Sequence, residues 1–336
     1  MRTKNVFVTG ILASAALTAL VYVVSLNLGA FQSILLPDKG ADWYYWKLPH
    51  PEVWATVSMW LLYAAHQGLV WYLIYKIAKS PRPEEGKLGK YNIAFLLVNA
   101  GFIGLHLLQT GLFYDGLAQY VPIFTSQGSV IVMLVMILIM LAARRGLFFG
   151  KKVPLPRDGV SGVMKTHSYV IAWALVYTFW FHPTEGTWGH LLGFLYMFLL
   201  MLQGGLAKTK LHTSLNWIVV LEVFVGLHGT VVALVSGSLI WSMFLFGFAM
   251  MFVVTQMYGI IKNKAVRITL SALYLVFAGL VYRGVLGTGH TITNIYQIFM
   301  IPLILYGLVF AISWGYAGVM RLRKKTAKPK RSAETT

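Results

Sequence analysis

Apolar residues come in long runs separated by short polar, basic or Pro- and Gly-bearing intervals, and the alternation persists to about position 320. A helix needs about 20 apolar residues to cross a hydrocarbon core about 30 Å thick. On that measure the pattern predicts ten spanning helices, over 6–28, 53–78, 91–114, 121–143, 166–183, 188–207, 213–236, 238–261, 268–288 and 292–318. The expected fold class is all-α: a polytopic membrane protein with one transmembrane domain over 1–320 and a basic, disordered tail over 321–336. The first run, Val6 to Phe31, is far longer than the roughly 7–15 apolar residues of a cleaved signal and reads as a permanent helix. No internal repeat is visible.

Composition agrees. The chain is 58% hydrophobic and 11% charged, with a mean hydropathy of +0.69, whereas soluble domains carry about a quarter charged residues. An aromatic share of 15% suits two lipid–water interfaces. Cysteine is absent, which excludes disulfides, thiolate-held clusters, thiol nucleophiles and covalently attached c-type haem.

The net charge of +18 suggests nucleic acid until the charges are placed. With ten helices, 25 of the 28 Lys and Arg fall on one side of the membrane, and Lys39, Lys47 and Arg283 lie toward the other. Such a split follows the positive-inside rule and predicts a multi-pass cell (cytoplasmic) membrane protein with both termini cytoplasmic. The expected partner is membrane lipid and not nucleic acid, because no folded cytoplasmic domain exists to read a groove. The longest external loop, 32–52, gathers Trp43, Tyr44, Tyr45 and Trp46. It reads as an interfacial belt, or as a lid over an outward-facing pocket.

Ionisable groups inside hydrocarbon are costly and are functional candidates by default. Seven of the nine His fall near mid-membrane or outward: His66 in helix two, His106 in helix three, His182, His190, His228, His290 and His50. His167 and His212 lie toward the cytoplasm. Asn99, His106, Gln109 and Thr110 share one stripe of helix three at about 100° per residue, so that face should look inward. Glu222, near the centre of helix seven, has no charged neighbour one turn away. Its expected partner is His66, His106 or Arg283, and its expected role is proton carriage or ligand orientation. Arg283, about a turn and a half below the outer surface, is expected to anchor a carboxylate, propionate or headgroup.

Three functions fit. The favoured one is a redox protein, an oxidoreductase of the electron-transport kind, with haem b or a metal ion held by His and a quinone as exchange partner. His66, His106 and His228 are the first-choice ligands, His182 and His190 the second. A stacked two-haem variant would pair His167 with His212 and His182 with His228. Sixteen helical steps between His212 and His228 rotate about 160°, which counts against it. The second is a metal-dependent enzyme acting on a lipid. Here HPTEGTWGH at 182–190 packs two His and a Glu together, although alone it reads as a polar turn in water. The third is a proton-coupled transporter, which lacks the expected paired Gly/Pro helix breaks.

Overall fold

A computed structural model describes residues 2–37 and 46–326, the side chains of 324–326 excepted. The described residues contain no strand. Ten long helices follow one another: α1 (Thr3–Ser25), α2 (Val53–Lys79), α3 (Lys90–Phe113), α4 (Ile123–Arg145), α5 (Arg157–Phe181), α6 (Trp188–Gly205), α7 (Leu215–Val235), α8 (Trp241–Val254), α9 (Lys264–Tyr282) and α10 (Gln297–Thr326). Single helical turns at Gly29–Gln32, Leu117–Gln119, Gln256–Gly259 and Ile292–Asn294 fill joints. Among the described residues, eight helical stretches are long and apolar enough to cross a membrane. The two that fall short, α2 and α5, carry His66 and Gln67, and Arg157, Asp158, Lys165 and His167, respectively. Trp43, Tyr44 and Tyr45 of the expected belt lie outside the described residues, as does the tail beyond 326.

The helix ends depart from the apolar runs where packing or glycine overrides hydropathy. α5 begins at Arg157, nine residues before the expected start, because its polar first turns are seated against α10. A Cβ at Gly159 would stand 2.1 Å from the Ser313 carbonyl oxygen, and one at Gly162 would stand 2.0 Å from the Tyr316 ring. Only glycine allows that approach. α9 stops at Tyr282 rather than 288, where Gly284 and Gly287 take positive φ.

Hydrogen bonds between joints assign the loops to two ends. At one end Thr3 N donates to Gly86 O, Phe149 N to Val254 O, and Lys208 Nζ to Ser80 O. This basic end carries most of the Lys and Arg. At the other, Leu48 N donates to Gln119 Oε1, Thr184 N to Thr110 Oγ1, and Gln32 Nε2 to Glu185. α5 occupies the middle, packed against α2, α4, α6 and α10. It fills the core with Phe179, Trp180 and Phe181, all fully buried. α9 lies at the edge and packs chiefly on α8.

Candidate functional site

The stripe on α3 faces inward, as its spacing predicts: Asn99, His106, Gln109 and Thr110 are all buried. Gln109 sews α3 to α2, donating to Ala55 O and accepting from Ser58 Oγ, each at 3.1 Å. Thr110 accepts from Thr184 N at 3.0 Å and so fastens the 182–187 turn.

His66 stacks on Phe102, with ring centroids 4.3 Å apart. Its Nδ1 accepts from Trp180 Nε1 at 3.1 Å, which leaves Nε2–H to donate to Asn99 Oδ1 at 3.1 Å. Both nitrogens are therefore taken. This corrects the expectation that His66 is a first-choice ligand, because any metal would have to displace Trp180 or Asn99.

On its other side Trp180 lies face to face with His106, ring centroids 4.4 Å apart and planes 16° from parallel. Phe179 meets His106 edge-on at 4.7 Å. His106 has no exposed surface, and neither ring nitrogen has a partner in hydrogen-bond geometry. The backbone of His182 runs alongside the ring.

His182 terminates α5 and His190 opens α6, with ring centroids 5.5 Å apart. His228, from α7, is within electrostatic reach of both. It donates from Nε2 to Gly189 O at 3.0 Å. His190 Nδ1 pairs with Thr187 Oγ1 at 2.9 Å, and Trp46 lies over its ring at 5.3 Å. These three imidazoles are half-buried. Positions 66, 106 and 228 do not share one contact. His106 and His228 join one cluster through His182 and His190, while His66 stands behind Trp180. Among the described residues no three His, Asp or Glu are placed to hold one metal ion. Metal–nitrogen bonds are about 2.0–2.1 Å, so an ion shared by His182 and His190 is the nearest approach to a metal position. Phe179, Trp180 and Phe194 fill the space around His106 that a porphyrin would need.

The turn that read as water-exposed is not. Glu185 is buried, accepting from Tyr114 Oη at 2.5 Å and from Gln32 Nε2 at 2.9 Å. Asp115 is equally enclosed and accepts from Gly116 N at 2.8 Å and Tyr120 Oη at 2.9 Å. Burial raises its carboxyl to about 6 against those two bonds.

Glu222 requires a different correction. Its partner is Arg145, the last residue of α4. Nη1 meets Oε2 at 2.5 Å and Nη2 meets Oε1 at 2.6 Å, a two-pronged pair with both side chains buried. The pairing holds Glu222 in place with a guanidinium across both of its oxygens. Arg283 is exposed at the end of α9 and has no ion pair among the described residues, so it anchors nothing in the cluster. His290 bridges two turns, with its Nε2 at 2.9 Å from Leu239 O. His50 is exposed.

His167 and His212 lie near one another toward the basic end. His212 precedes α7, in the turn before Leu215, so the 160° rotation does not act on it. It lies within electrostatic reach of His167. Its Nδ1 donates to Gln203 O at 2.9 Å.

Two participants are not marked in the sequence. Arg145 lies just past the apolar run that ends at 143, although it continues the buried stripe Leu134, Leu138, Leu141 of α4 at helical spacing. Trp180 lay in an apolar run that gave no sign of its two imidazole neighbours. Comparison with protein-family models, curated proteins and solved structures finds no match.

Proposed function

We propose that the chain crosses the cell membrane ten times with both termini in the cytoplasm, and that its outward imidazole cluster is a redox centre. The orientation rests on the concentration of Lys and Arg at the basic end. The redox reading rests on His106, a fully buried imidazole with neither nitrogen in hydrogen-bond geometry, beside the cluster of His182, His190 and His228. An orphaned buried polar group costs about 1–3 kcal/mol, and native proteins keep few of them. A ligated ion would take up that lone pair, and neutral imidazole suits iron and copper.

The packing favours a single ion over haem b. His182 and His190 are the pair of imidazoles with neighbouring rings, and His228 and His106 lie within electrostatic reach of His182. His66 is a positioning residue, fixing Trp180 and through it the plane of His106. When bound, the ion would supply a one-electron couple. A groove of about 570 Å³ between α1, α3 and α6 reaches Asn99, the partner of His66, from the lipid side. A membrane quinone could approach there. His167 and His212 give the bundle a second imidazole pair at the opposite depth.

The test is the absorption spectrum of detergent-purified protein with and without dithionite, together with its metal content. Stoichiometric iron or copper, lost in His106→Ala and retained in His66→Phe, is the expected result. Wild-type protein free of both chromophore and metal overturns the redox reading and leaves the transmembrane arrangement standing.

A further inference from the structure

A recess of about 490 Å³ opens at the basic end, between the first turns of α9 and the segment that follows α4. Its polar rim is Lys264 and Arg267. Its floor is Tyr258, and its apolar wall is Phe149 with Ile268 and Leu275 of α9. The site is built rather than incidental. Phe149 holds a left-handed backbone (φ 52°) while its N–H donates to Val254 O at 2.8 Å, fixing the ring at the mouth. The Arg267 guanidinium lies over the Tyr258 ring, 4.7 Å from its centroid. That contact orients the cation without neutralising it.

Neither Lys264 nor Arg267 has an acidic partner among the described residues, and no Asp or Glu lines the recess. Elsewhere at this end Glu84 pairs with Lys87 and Glu85 with Lys210. Along α9 the wall is carried by Ile268 and Leu275, two turns apart on one face and both exposed. Two uncompensated cations at the mouth of an apolar slot, on a helix covered by little but α8, match a ligand with an anionic head and a hydrocarbon tail.

We propose that this recess binds an anionic phospholipid, its phosphate between Lys264 and Arg267 and one acyl chain along Ile268 and Leu275. The proposal needs the membrane orientation given above only to name the leaflet, which is the cytoplasmic one. It is independent of the redox centre.

The test uses the full-length protein, delipidated in detergent and titrated with phosphatidylglycerol, phosphatidylcholine or inorganic phosphate while thermal unfolding is followed. Phosphatidylglycerol should raise the unfolding temperature saturably and phosphatidylcholine should not. Phosphate alone at matched concentration should have no effect. Lys264→Ala with Arg267→Ala should weaken the phosphatidylglycerol response at least tenfold, and Lys210→Ala, at the same end but outside the recess, should leave it unchanged. Because loss of Arg267 also removes the contact with Tyr258, Arg267→Lys serves as a second variant that keeps the charge and most of the affinity. Equal responses to the two lipids, or undiminished binding by the double variant, overturn the proposal. A response to phosphate as strong as that to lipid would make this a soluble-anion site and overturn it as well.

Discussion

The basic end buries a carboxylate and a guanidinium, and the far half buries imidazoles, yet the two regions treat their polar atoms in opposite ways. Glu222 and Arg145 satisfy each other in a two-pronged pair; of their polar atoms only Arg145 Nε is left without a partner. His106 is just as deeply buried, and neither of its nitrogens has a partner in hydrogen-bond geometry. A closed pair of this kind locks α4 to α7 and makes removal of either member costly. An open imidazole does the reverse, weakening the apo fold by leaving a group ready for something else. Depth of burial therefore does not separate structural from functional polarity in this bundle. Satisfaction does.

The comparison breaks most visibly at Glu222. Glu222→Ala should destabilise the protein by about 3–5 kcal/mol by stranding Arg145, read as a lowered thermal midpoint in detergent. The double change Arg145→Met with Glu222→Leu should regain most of that loss. If the single variant unfolds with the wild type, the pair is not the lock described.

Asp115 tests the far end by pH. Its folded carboxyl sits at about 6, against about 3.9 in an unfolded chain. The folded state thus holds the proton more tightly, and stability falls as pH rises from about 4 to about 6, by about 3 kcal/mol in all. Below about 4 both states are protonated and the penalty is absent; above about 6 it is complete. Asp115→Asn should flatten that slope in unfolding curves taken across the window, and a slope that survives assigns it to another group.

His106→Phe sharpens the contrast directly. Replacing an unpartnered imidazole with an apolar ring should stabilise the metal-free protein by about 1–3 kcal/mol while abolishing metal retention. Destabilisation of the metal-free form would show that the ring is satisfied after all. The smallest effect belongs to an ordinary interhelical bond: Ser58→Ala removes one contact to Gln109 and should cost about 0.6 kcal/mol.

Much of this architecture was legible as apolar length, since each expected span coincides with a long helix. The inward stripe of α3 was legible as periodicity. The enclosure of Glu185 was not legible because turn composition reports local solvent, whereas its partners Gln32 and Tyr114 lie 153 and 71 residues away in sequence. The Arg145–Glu222 pair spans 77 residues and joins helices that charge counting treats separately. His66 was over-read for a related reason. Its type and depth suggested a ligand, but only the tertiary fold brings Trp180 and Asn99 to its two nitrogens. Pattern reports which face turns inward, and what that face meets is decided by other helices.

The seat on α5 at Gly159 and Gly162 has a consequence for biogenesis. Its occupant, α10, follows the nine other long helices in chain order, and synthesis runs from the N-terminus, so the central helix waits with a bare glycine notch through the insertion of α6 to α9. Until α10 docks, that notch faces lipid or a chaperone of the insertion machinery. A chain shortened before Gln297 should accordingly insert but be degraded, making the docking of α10 the commitment step in producing a stable protein.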